Sequence, residues 1–153
     1  MIGKGKGRLF REDVASRCSW TIPTGAKVWA RQWCVEVNGT KIVNDGGTLW
    51  IMGLKTEHPG TLLDTRNGGK TELLGGLCFA NGTYKLDPMF RIENSSVTFS
   101  IGETSLNGTP YSSIVVESRN GLTRSLSSQG ISQDLPLPSR VGGIAIPLFS
   151  GYH

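Results

Sequence analysis

A block of sequence returns along this chain at near-constant intervals, and this constrains the fold more than any other feature. Gly39-Thr40-Lys41-Ile42 is echoed 21 residues on by Gly60-Thr61-Leu62-Leu63. Each leads into a glycine pair, Gly46-Gly47 and Gly68-Gly69, offset by 22. Behind each pair runs a Thr-containing apolar segment, Thr48 to Leu54 and Thr71 to Leu77. An earlier partial copy, Val28 to Trp33, precedes Leu49-Trp50 by 21 residues. Later, Leu62 to Gly68 matches Val115 to Gly121 at an offset of 53. Met89 to Ser95 lies between them, 27 residues after the first and 26 before the last. Four or five copies at this spacing describe one supersecondary unit stacked on itself.

Each period holds two short runs of Val, Ile, Leu, Phe and Thr, separated by Asn, Asp, Gly and Ser. Such runs read as strands and the separators as turns. No segment between them carries a helical period. Composition agrees: glycine is 21 of 153 residues, about twice its average share, and charged residues are only 18%, which argues against a helix bundle. Short strands with bends, stacked coil on coil, make an all-β parallel β-helix, a solenoid of about four or five coils. Leucine-rich repeats share the period, but the chain has no L-x-x-L-x-L series. A β-sandwich, which needs no sequence repetition, ranks second.

The coils are placed over residues 1–124, with 1–8 a flexible basic tail. Residues 125–153 form a linker rich in Ser, Gln, Gly and Pro and then an apolar strap or cap, Val141 to Phe149, to cover the open end of the solenoid. Ile42, Leu63, Phe90 and Val116 are expected to form one inward ladder. Asn67, Asn94 and Asn120 fall at equivalent turns, where Asn tolerates left-handed backbone and can bond from coil to coil. The facing of the run through Trp29, Trp50 and Leu73 stays open: one register buries Glu72, the other Arg31.

The stretch Val28 to Phe79, with "VWARQ", "GTKIVNDGGTLWIMGLKTE" and "DTRNGGKTELLGG", resembles the C-terminal coils of bacterial pectate-lyase-superfamily (pectin-lyase-like) proteins. The likeness covers about residues 8 to 125 and is most specific in the middle third. It implies a right-handed parallel β-helix, a polysaccharide partner, and an extracellular or cell-surface location. It also places this segment after the family's usual catalytic coils. A lyase-like site would call for calcium on Asp or Glu clusters.

The residues offer little chemistry of their own. The only histidines, His58 and His153, are read as exposed. Asp45, Asp64, Glu72, Glu93 and Glu117 are the candidate acids. Asp64 and Glu117 look equivalent in the repeat, with Arg91 between them and Arg66 and Arg119 beside them, which suggests a salt-bridged surface ladder. Trp20, Trp29, Trp33 and Trp50 crowd into 31 residues. Trp29 and Trp50, 21 apart, should stack on neighbouring coils. Beside Arg31 they could bind a sugar, although packing is the commoner use of paired aromatics. Asn38, Asn81, Asn94 and Asn107 head Asn-x-Ser/Thr triplets and are read as turns.

Cys18, Cys34 and Cys78 include no CxxC pair, so zinc is not implied and buried thiols are the default. The net charge of +4 comes from scattered basic residues, apart from Lys4, Lys6 and Arg8. This is not the pattern of a nucleic-acid binder. No apolar run approaches the roughly 20 residues of a membrane span, and none follows the basic start as in a secretory signal peptide. The expected function is a carbohydrate-associated module without turnover of its own; any turnover would be that of a polysaccharide lyase or glycoside hydrolase. The alternative is a structural or adhesive solenoid, and self-association through its ends is an expected hazard.

Overall fold

A computed structural model describes residues 6–79, 81, 87–104, 111–128 and 143–151. Twelve strands occupy these residues: β1 (Arg8–Ser16), β2 (Trp20–Pro23), β3 (Lys27–Glu36), β4 (Ile42–Asp45), β5 (Thr48–Glu57), β6 (Leu63–Arg66), β7 (Lys70–Phe79), β8 (Phe90–Glu93), β9 (Ser96–Thr104), β10 (Ser113–Arg119), β11 (Leu122–Ser127) and β12 (Gly143–Ser150). No α-helix occurs among the described residues. The strands form two six-stranded sheets, ordered β1-β3-β5-β7-β9-β12 and β11-β10-β8-β6-β4-β2. Each coil contributes one four-residue strand and one of nine or ten residues, each parallel to its counterpart in the next coil. The chain is therefore a parallel β-solenoid of four complete coils, β2-β3 to β8-β9, flanked by β1 and β10.

Stacking is residue on residue. Trp20, Ile42, Leu63, Phe90 and Val115 stand in register and all are buried. The rung therefore gains Trp20 and ends on Val115, not Val116. The last coil has six residues from Val115 to Asn120, where the previous coil has five from Phe90 to Asn94. Matching by residue identity therefore slips by one, and in a strand a one-residue slip exchanges the faces. The same slip separates Asp64 from Glu117: Asp64 stands beside Arg91 and then Val116, while Glu117 is opposite Ile92.

The long strands settle the facing that sequence left open. Val28, Leu49, Thr71 and Val97 point inward, as do Ala30, Ile51, Leu73 and Phe99. Trp29, Trp50 and Glu72 point outward, and so does Arg31. Each of the first four long strands then bends at one left-handed residue, Asp13, Gln32, Gly53 or Gly75, with φ from 51° to 79°. The bend restarts the alternation, so Trp33 and Leu54 point inward again. The turns after β3 and β5 stack Gly60 on Gly39. A Cβ on Gly60 would lie 2.3 Å from the Gly39 carbonyl oxygen, so no larger residue fits without moving backbone.

The turns between short and long strands carry Asn67, Asn94 and Asn120 at φ of 54°, 44° and 50°. The Asn94 side-chain oxygen accepts the Asn120 backbone N–H at 3.1 Å, and the Asn67 amide donates to Asp45. Inside the same bend lies a polar rung that sequence reasoning missed. Buried Asn44 donates to the Lys70 carbonyl at 3.0 Å and to Thr71 Oγ1 at 2.9 Å, and accepts from the Gly47 N–H at 2.9 Å. With these bonds made, the amide does not carry the penalty of an unpaired buried polar group.

The ends of the chain differ from expectation at both boundaries. Arg8, assigned to a tail, opens β1, and the Gly7 carbonyl accepts from the Lys27 N–H at 2.9 Å. Ser125 to Ser127, assigned to a linker, belong to β11, which returns antiparallel on β10. Within the expected apolar strap, β12 pairs antiparallel with β9 and brings Phe149 onto Phe99 with centroids 4.8 Å apart. Phe99 in turn lies 3.8 Å from Phe90, so three rings close this end of the core. Asn107, His153, residues 1–5, 80 and 82–86, and most of the expected linker lie outside the described residues.

Candidate functional site

On the outer face of the first long strands, the register sets Phe10, Trp29 and Trp50 side by side. Phe10 and Trp29 are stacked, with centroids 4.9 Å apart and planes 11° from parallel. The next outward column begins Glu12, Arg31, Met52. Arg31 donates to the Glu12 carboxylate. Both side chains are more than half exposed, so this pair adds little stability, but it holds the guanidinium beside the aromatic column. Phe10, Glu12, Arg31, Trp29 and Trp50 border a groove of about 500 Å³. A second groove, of about 220 Å³, runs along the other side of Trp29 and Trp50, bordered by Lys70 and Glu72. The half-buried tryptophans thus form a ridge between two grooves on a rigid sheet. This presents a flat π surface flanked by a forked donor and an acceptor.

The four tryptophans divide by facing. Trp29 and Trp50 are outside. Trp20 and Trp33 are buried, ring edge to ring face at 5.6 Å. Over them lies the Arg11 guanidinium, 3.7 Å from the Trp20 ring centre and 5.2 Å from that of Trp33. Its burial lowers the Arg11 pKa from the usual guanidinium value. Sequence reasoning named Trp29, Trp50 and Arg31 as the carbohydrate-binding set, and the fold brings these three together. Phe10, in a segment with no clean repeat match, was missed.

On the short-strand sheet, Asp45 and Asp64 are engaged with a base. The Arg66 guanidinium lies 3.3 Å from Asp45 and 3.8 Å from Asp64, and Arg91 lies 3.2 Å from Asp87. Asp45 is held below the usual carboxylate range, first by the Asn67 amide and then by Arg66. Burial pushes Asp64 the other way, against the pull of Arg66. Two carboxylates sharing one guanidinium form an ion-paired ladder.

A further cluster on the long strands comes from residues 21 apart that were not singled out. Lys55 donates to both Glu36 and Glu57. Burial opposes its charge, but the two carboxylates outweigh burial and raise its pKa. Cys34 donates to Glu36 at 3.2 Å, and burial, then that bond, push the thiol up to about 11. The thiol is therefore protonated at neutral pH and is no nucleophile.

Lys41 is buried, its ammonium donating to the carbonyls of His58 at 3.1 Å and Pro59 at 3.2 Å. Burial lowers its pKa to about 8. His58, expected to be exposed, is half-buried in this left-handed turn, at φ 70°. No group of three or more His, Cys, Asp or Glu able to hold a metal is gathered among the described residues. No helix there is long and apolar enough to cross a membrane. No family model, curated protein or solved structure matches this chain.

Proposed function

We propose that this chain is a carbohydrate-associated β-helix module, the non-catalytic late part of a pectate-lyase-superfamily-like system for processing polysaccharide. Its binding surface is the Phe10/Trp29/Trp50 face. The observation that carries this reading is the outward aromatic column, stacked at 4.9 Å at its open end and flanked by the Arg31–Glu12 pair. A pyranose ring offers one face of C–H groups for the indoles and a rim of hydroxyls for the guanidinium and carboxylate. A flexible polymer laid along the ridge meets one aromatic per coil, with coils about 4.8 Å apart. The resemblance of Val28 to Phe79 to late coils of that superfamily supports the same reading and a bacterial, secreted setting.

The competing reading, a structural or adhesive solenoid, is favoured by the outer charges tied up in Asp45–Arg66–Asp64 and Glu36–Lys55–Glu57. Titration of tryptophan fluorescence with oligogalacturonate, pectin and alginate fragments separates the two. Weak saturable quenching that is lost in Trp29→Ala and Trp50→Ala but kept in Met52→Ala is the expected result. No response to any of these glycans leaves the solenoid structural. The same samples, with and without calcium, should release no unsaturated or reducing ends. Release abolished by Asp64→Asn or Glu93→Gln would make the chain an enzyme.

A further inference from the structure

We propose that two copies of this chain associate head to head, β1 against β1, as antiparallel neighbours about a two-fold axis through Phe10. This shares Phe10 and Glu12 with the proposed binding face but needs no ligand.

The argument begins with which sheet edges are free to pair. The two sheets end on β1 and β12 and on β2 and β11. β2 has four residues and ends in Pro23, which has no N–H to donate. β12 contains Pro147, with the same effect. β11 has no proline, but its only charge is Arg124, with no acid to oppose it in a symmetric pairing. β1 has nine residues, no proline, and an edge without a neighbour among the described residues. It also carries Leu9 and Phe10 at 44% and 71% exposure. Before the bend at Asp13, this edge offers Arg8 to Glu12 as a straight run whose backbone groups another strand can pair with.

The side chains of β1 specify the occupant. Arg8, Phe10 and Glu12 stand beside Lys27, Trp29 and Arg31 of β3, and all three are exposed. Antiparallel pairing centred on Phe10 sets Arg8 of each copy opposite Glu12 of the other, twice by symmetry, with Phe10 against Phe10 between them. Opposite charges directly across an antiparallel pair attract, and aromatic pairs add to this. A shift by two residues either way loses both ion pairs within β1. A shift by one sets outward side chains against inward ones. The chosen register also continues the column Trp50, Trp29, Phe10 without a break into Phe10, Trp29, Trp50 of the second copy. Closure by a two-fold axis makes a dimer and not a filament.

Sedimentation of the full chain over a concentration series tests this. The parent should be a reversible dimer. Arg8→Glu, an exposed change that sets like charges opposite, should weaken association about tenfold or more through its two symmetric sites. Phe10→Cys should cross-link to a covalent dimer on mild oxidation, well beyond the parent with its own three cysteines and beyond Met52→Cys. A monomer at every concentration overturns the proposal. So does an association indifferent to Arg8→Glu, or one that grows past the dimer. Failure of Phe10→Cys to cross-link beyond its controls also overturns it. Glycan binding by a monomeric Arg8→Glu variant would leave the proposed function standing while the dimer falls.

Discussion

The two ends of this solenoid expose the same kind of core and meet the problem differently. At the C-terminal end, β11 and β12 turn back antiparallel onto the last coils, and Phe149 stacks on Phe99 and Phe90. At the N-terminal end no strand turns back among the described residues. Among these residues the core is covered by a long side chain, Arg11, laid over Trp20 and Trp33, and the β1 edge stays open. An antiparallel strand satisfies backbone groups and buries apolar side chains at once. A guanidinium over indoles covers the core but pairs no backbone. The first device ends the repeat. The second tolerates a neighbour, and this is why association is assigned to that end.

The largest expected effect is at the closed end. Phe99→Ala removes the middle ring of the stack and should cost about 3–5 kcal/mol in chemical denaturation. If it costs no more than a surface change, β12 is not a cap and the contrast between the ends fails.

Lys41, between the ends, should govern the response to pH. Its folded pKa of about 8 lies below the ordinary lysine value of 10.5. Below about 8 both folded and unfolded chains hold the proton, and the cost of burying the charge is present in full. Between about 8 and 10.5 the folded chain has released it while the unfolded chain has not, so stability rises with pH over that window. Buried Tyr111, raised above its usual value of 10.0 mainly by desolvation, acts oppositely once the unfolded phenol ionises above about 10. The parent should gain stability between about pH 8 and 10 in thermal melts, and Lys41→Met should remove that gain. A rise that persists in the variant would assign it elsewhere.

At the open end, Arg11→Ala should cost about 0.5–2 kcal/mol, the range of a cation over an aromatic face from exposed to desolvated sites. A loss matching that of Phe99→Ala would mean that the two ends are held alike. The turns give an effect of similar size. Asn94→Ala puts a Cβ-limited residue at φ 44°, at about 1–2 kcal/mol, and loses the bond to Asn120, at about 0.5–1.5 kcal/mol. Asn81→Ala should cost less. Equal shifts in melting temperature would argue against coil-to-coil bonding at the turns.

Which parts of this were legible in advance follows from the length of the signal. A stacked coil repeats its inward residues, turn residues and glycines at one interval, so the interval alone carried the solenoid and the rung of Ile42, Leu63 and Phe90. It also placed the left-handed asparagines and put Trp29 beside Trp50. Those positions answer mainly to their own coil and its neighbour.

The facing of the long strands was not legible, because the bends at Gln32 and Gly53 reset the alternation in mid-strand. Nor was the shift from Val116 to Val115, because one extra residue before Asn120 leaves the match of residue types intact. Phe10, Arg11 and the buried Asn44 bonds were hidden for a related reason: their meaning depends on strands far apart in sequence or on where the stack stops. By itself, then, the sequence determined the architecture and its spacing, since each coil buries its apolar face only on a copy of itself. The tertiary structure alone decided which aromatics face solvent, which end is closed and which edge is left to pair, because those are properties of the whole stack and of its two boundaries.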